Sequence, residues 1–249
     1  MSTIEILLPA LGLAFLLVGI HTIFGLEIIK RGVIFTDLAV GQLSAVGIAV
    51  SAAFFAEQYQ IPLSLAFALV GALLITYANR NSRHVEAFIG LLYALGASSV
   101  MIVLSSGNGG DELFKRLIAN DILFATNSEV FKAAAVYGAV ALLYYTVYPR
   151  LSGFFKELFF FSLLSVTVTS SVPLAGVLVV FTLLIAPALV ALLQKRYKTL
   201  FFGWIYGWGF ISLALFLSYR YDWPTGYSIV FVGTFITLIL VLWMEKNNK

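Results

Sequence analysis

TDLAVGQLSAVGIAVSAAFFA, residues 36–56, is the stretch on which the reading of this chain turns. From Leu38 to Ala56 it runs 19 residues without a charge, and Asp37 stands at its entrance. An uncharged apolar run of that length suits a helix crossing a hydrocarbon core of about 30 Å. An ionisable group on such a span is costly, and it usually faces a bundle interior or an aqueous path. The same run carries Gln42 among Gly41, Ser44, Ala45, Gly47 and Ser51. Polar groups set among small residues predict a closely packed inner helix and not a lipid-facing one.

Outward from this stretch the pattern repeats. Hydrophobic residues make up 61% of the chain and charged ones 11%, against about 25% charged in a soluble domain. Mean hydropathy is +1.00. Nine apolar runs are expected as spans, at 4–26, 34–56, 61–78, 86–105, 130–148, 158–172, 174–194, 199–218 and 225–244. Short alternating segments of the barrel type are absent. The fold class is therefore all-α, a polytopic membrane bundle of eight or nine transmembrane helices forming a single domain over residues 1–249. Residues 158–194 leave the count open, because Ser170-Ser171-Val172-Pro173 is a poor separator. The first 20 residues lack a basic n-region and a small-residue cleavage site, so they read as a span. Leu113 to Phe124, mixed apolar and basic, suits either an interfacial amphipathic helix or an ordinary surface helix.

Charge sets the sidedness. With the N-terminus outside, one set of loops holds Lys30, Arg31, Arg80, Arg83, Arg150, Lys156, Lys195, Arg196, Lys198, Lys246 and Lys249. The other holds Lys115, Arg116, Lys132 and Arg220. Eleven against four places the first set in the cytoplasm. A net charge of +3 gives no sign of a nucleic-acid partner.

The residue inventory excludes several chemistries. There is no cysteine and only two histidines, His21 and His84. No H-E-x-x-H, G-x-S-x-G or Walker A motif occurs, so the chain is not expected to be an enzyme or to hydrolyse nucleotide. No cofactor is implied. Asp37 is the leading candidate for a group on an ion path, with Gln42 beside it. His21 suits either a metal or proton site shared with Asp37, or an interfacial histidine bonded to backbone. Pro187, inside a span, predicts a kink. His84 reads as a surface residue, and Glu27 with Lys30 and Arg31 as a solvated helix end.

Several segments together resemble the metal-ion ABC transporter permeases that import zinc, manganese or iron. KRGVIFTDLAVGQLSAVGIAV (30–50) is similar to their second-helix signature, and EAFIGLLYALGASSVMIVL (86–104) to their fourth helix. Asp111 to Ser128 resembles the segment that follows. VPLAGVLVVFTLLIAPALVALL (172–193) and DWPTGYSIV (222–230) match two later signatures. The matches run in order over nearly the whole chain. Two departures stand out. The family pairs its aspartate with a histidine four residues on, whereas this chain has Gly41 and then Gln42 there. Amide is a much poorer ligand than imidazole. The family's ATPase-docking segment is replaced by YPRLSGFFKEL (148–158), so the docking helix is expected to be shortened or lost.

The resemblance implies a permease subunit of the bacterial cytoplasmic (inner) membrane, working as a homodimer. A separate ATPase and an extracytoplasmic metal-binding protein are the implied partners, and Asp37, Gln42 and His21 the metal-site residues. Two other readings remain: an assembly subunit that kept the fold, and a gradient-driven carrier.

Overall fold

The structure, a computed structural model, describes residues 3–105, 122–194 and 197–247. All regular structure among them is helical: α1 (Thr3–Arg31), α2 (Thr36–Phe55), α3 (Gln60–Asn81), α4 (Val85–Ser105), a 3-10 turn (Ile122–Phe124), α5 (Asn127–Thr146), a 3-10 turn (Tyr148–Arg150), α6 (Gly153–Ala175), α7 (Val177–Leu193), α8 (Thr199–Tyr221) and α9 (Thr225–Asn247). Eight helical segments of 20 to 24 residues are apolar enough to cross a membrane, and α7, with 17, is shorter.

The breaks follow local chemistry. Gly32, at φ 68°, turns the chain out of α1. α5 opens on a reciprocal cap. The Glu129 N–H donates to Thr126 Oγ1 at 3.3 Å, and the Thr126 N–H donates to Glu129 Oε2 at 2.8 Å. The expected boundary at Ser170–Pro173 is corrected: α6 starts at Gly153 and runs through it to Ala175. The two hydroxyls turn back onto their own helix, Ser170 Oγ donating to the Val166 carbonyl at 2.9 Å and Ser171 Oγ to that of Thr167 at 2.8 Å. The break falls at Gly176, whose φ of 85° and ψ of 153° suit a residue without Cβ. The link between α5 and α6 holds one 3-10 turn and no separate docking helix. Residues 113–121 of the expected amphipathic segment, and Lys115, Arg116, Lys195, Arg196 and Lys249, lie outside the described residues.

The chain groups into two compact units. The first comprises residues 1–32, 120–137 and 174–249. In it α7 packs against α1, α8 and α9. A Cβ at Gly25 of α1 would collide with the Leu184 carbonyl of α7. Trp204 of α8 donates its indole N–H to the Gly19 carbonyl of α1 at 3.0 Å. Leu26, Ala188 and Ala191 cluster with Ile29, Leu192, Leu200 and Phe202, so the ends of α1 and α7 and the start of α8 share one level. The short α7 thus runs in the same direction as α1.

The second unit comprises residues 33–119 and 138–173. Here α2 is the central helix, packed on both α3 and α4. A Cβ at Gly47 would overlap the backbone of Leu63 and Ser64 on α3. Val46 and Ala49 of α2 form a core cluster with Val100 and Leu104 of α4. α6 joins from another side: Ser165 Oγ donates to the Ala68 carbonyl of α3 at 3.2 Å. At one end of the unit the Asn79 amide donates to Glu157 at 3.4 Å, and the Arg80 guanidinium lies 5.8 Å from the Phe154 ring centroid.

Candidate metal-ion site

The site begins at the start of α2. Its N-cap position is Phe35, whose side chain has nothing to offer as a cap. The orphan amides of a helix start need acceptors, and two carboxylates supply them. The Phe35 N–H donates to Glu86 Oε1 of α4 at 3.2 Å. The amides of Asp37 and Leu38 lie against the Asp37 carboxyl. The helix dipole favours negative charge at this end.

Asp37 is 2% exposed, and its Oδ1 has no hydrogen-bond partner among the described residues. Glu86 is half-buried, and its Oε2 is likewise buried and without a partner. Buried polar atoms are nearly always bonded, so two such oxygens at one helix start are unusual.

One turn beyond Asp37, on the same face, sits Gly41. A Cβ there would lie 3.7 Å from Val168 and 3.8 Å from Val172, both on α6. That is ordinary contact, with room for a methyl group. Gln42, five residues from Asp37, is turned about 140° away around the helix. Its Cβ would stand 2.9 Å from a Cβ added at Gly96 of α4. Asp37 and Gln42 therefore lie on different faces of α2.

His21 belongs to the first unit. It is fully buried, donates from Nδ1 to the Leu17 carbonyl at 2.9 Å, and meets the Tyr137 ring edge-on with centroids 6.4 Å apart. Among the described residues no three His, Asp or Glu side chains gather as a metal cluster. His84 is exposed. Glu27 pairs with Lys30 at 3.7 Å and Arg31 at 3.8 Å; Lys30 is exposed, whereas Glu27 and Arg31 are partly buried, so this helix end is less solvated than expected. Glu86 went unnoticed in the sequence. Its only signal there was an acid in the first turn of an apolar span.

The Manganese transport system membrane protein MntC of Listeria monocytogenes is 25% identical, the match covering 91% of this chain and 86% of that protein. A probable iron transport system membrane protein of Haemophilus influenzae is 23% identical over 80% of this chain and 76% of its own length. Among solved structures, PsaBC from Streptococcus pneumoniae, in complex with Fab, superposes with a TM-score of 0.77 at 22% identity, covering 96% of this chain and 91% of that one. That TM-score shows that the chain shares this all-helical fold. The sequence profile of the ABC 3 transport family matches residues 3–244. This chain is a multi-pass protein of the cytoplasmic membrane and belongs to the ABC 3 transport family.

Proposed function

We propose that this chain, acting as one permease domain, forms the translocation path of an ATP-driven importer of a divalent metal ion. Manganese and iron stand ahead of zinc as its cargo. The family match supports the permease role, and the relatives named for manganese and iron transport support the choice of ion. A single copy brings together no cluster of three ligands among its described residues, which favours two copies facing one path. A separate ATPase supplies the energy, since no Walker A motif is present, and an extracytoplasmic binding protein delivers the ion.

The observation that carries the path is Asp37, buried to 2% exposure with one oxygen unpartnered. A carboxylate kept in that condition at the head of an apolar helix is waiting for a cation or a proton. Gln42 and His21 are outer candidates: the His21 ring already bonds the Leu17 carbonyl, and Gln42 lies against Gly96 of α4.

The test is uptake of Mn²⁺, Fe²⁺ and Zn²⁺ by cells carrying the chain with its neighbouring genes. Asp37→Ala is expected to abolish uptake of the cargo ion while protein remains in the membrane. Unchanged uptake of all three ions in the variant removes Asp37 from the path.

A further inference from the structure

We propose that Glu86 is a second ion ligand beside Asp37, which makes the head of α2 an oxygen-only site for a hard divalent cation of the Mn²⁺ type. This rests on the reading that Asp37 meets the transported ion. Two carboxyl groups reach the same helix start, one from α2 itself and one from α4. The link between them is the Phe35 N–H, held by Glu86 Oε1 at 3.2 Å and only two residues ahead of Asp37. Each carboxyl has one oxygen left over. Asp37 Oδ1 and Glu86 Oε2 are both buried and both lack a partner among the described residues. If both groups served only as caps, their second oxygens would face solvent or find donors. Leaving two of them dry is costly, and a shared cation removes that cost.

The donor set also selects the ion. Imidazole suits zinc, whereas carboxylate, carbonyl and water suit manganese, calcium and magnesium. The α2 position one turn from Asp37 is Gly41, which brings no ligand, and a Cβ there would lie against Val168 and Val172. Gln42 lies against Gly96 instead. The buried donors that α2 and α4 offer at this end are therefore oxygens, and His84, just ahead of α4, is exposed.

The experiment is Mn²⁺ binding by the purified full-length protein in detergent, read from loss of the free-ion paramagnetic resonance signal, with Ca²⁺ as competitor. Glu86→Gln keeps an acceptor for the Phe35 N–H, so the cap survives and the charge does not. Glu86→Gln and Asp37→Asn are each expected to weaken Mn²⁺ binding about tenfold or more, since affinity at oxygen sites follows the number of ligand charges. Ca²⁺, a hard ion that takes oxygen ligands, should compete for the Mn²⁺ bound by the wild-type protein. If Asp37→Asn weakens binding and Glu86→Gln does not, Glu86 is a cap only and the inference falls while Asp37 stays in the path. If neither variant weakens binding, or the parent binds no Mn²⁺, the Asp37 reading falls and takes this one with it. If excess Ca²⁺ leaves the bound Mn²⁺ in place, the oxygen-only assignment is overturned. Should Glu86→Gln fail to accumulate, Glu86→Asp, which keeps the charge but is one methylene short, must bind Mn²⁺ several-fold more weakly. Parental affinity in Glu86→Asp overturns the inference.

Discussion

Gly96 of α4 approaches Gln42 of α2 so closely that a methyl group on Gly96 would stand 2.9 Å from the Gln42 Cβ and 3.3 Å from its backbone carbon. Part of what it would meet is main chain, which cannot swing aside. Larger side chains forced into such a contact cost about 1–3 kcal/mol. Gly96→Val is expected to lower the thermal stability of the purified protein by that order, and Gly96→Ala by less. Unfolding midpoints equal to the parent's in both variants would mean that α4 can retreat from α2.

Gly41 poses the opposite case. A Cβ there finds only side-chain methyl groups at 3.7 and 3.8 Å, so Gly41→Ala is expected to leave membrane levels and stability within about 0.5 kcal/mol of the parent. Gly41→His alone overpacks against Val168 and Val172, and its level in the membrane should drop. Adding Val168→Ala and Val172→Ala makes room, and the triple variant should bind Zn²⁺ about tenfold more tightly than Gly41→Ala, because it gains an imidazole one turn from Asp37. Equal Zn²⁺ affinities, with the triple variant well folded, would separate Gly41 from the ion site.

Sidedness can be read with single cysteines, since the chain has none of its own. Ser152 is exposed in the link between α5 and α6. Thr225 would be a natural choice at the other face, but it is only 2% exposed and bonds Ser218 Oγ at 3.0 Å. Trp223, at 46%, serves instead. Trp223→Cys is expected to react with an impermeant thiol reagent in intact cells, and Ser152→Cys only after the membrane is opened. Reaction of Ser152→Cys from outside would invert the assignment drawn from the loop charges.

The central place of α2 was legible because small and polar residues crowd one apolar run, a pattern that serves no purpose against lipid. The helix that crosses Ser170–Pro173 was not. Serine and proline there have the composition of a turn, yet both hydroxyls bond carbonyls of their own helix and the helix runs on to Ala175. Asp37 announced itself by charge at the edge of an uncharged run. Glu86 could not, because its importance comes from the approach of the α2 start, 51 residues earlier in the chain. A spacing of five between Asp37 and Gln42 already contained their divergence, since side chains share a face at three and four residues but not at five.

α7 has 17 residues and so spans about 26 Å, less than the roughly 30 Å of a bilayer core. A lipid-facing helix of that length would draw the bilayer thin around it or tilt less than its neighbours. α7 instead packs against α1, α8 and α9, and most of its side chains are buried. Its length is matched to protein and not to acyl chains. The helix that carries Pro187 is thereby insulated from bilayer thickness, and any dependence of activity on acyl-chain length must enter through the outward faces of its neighbours.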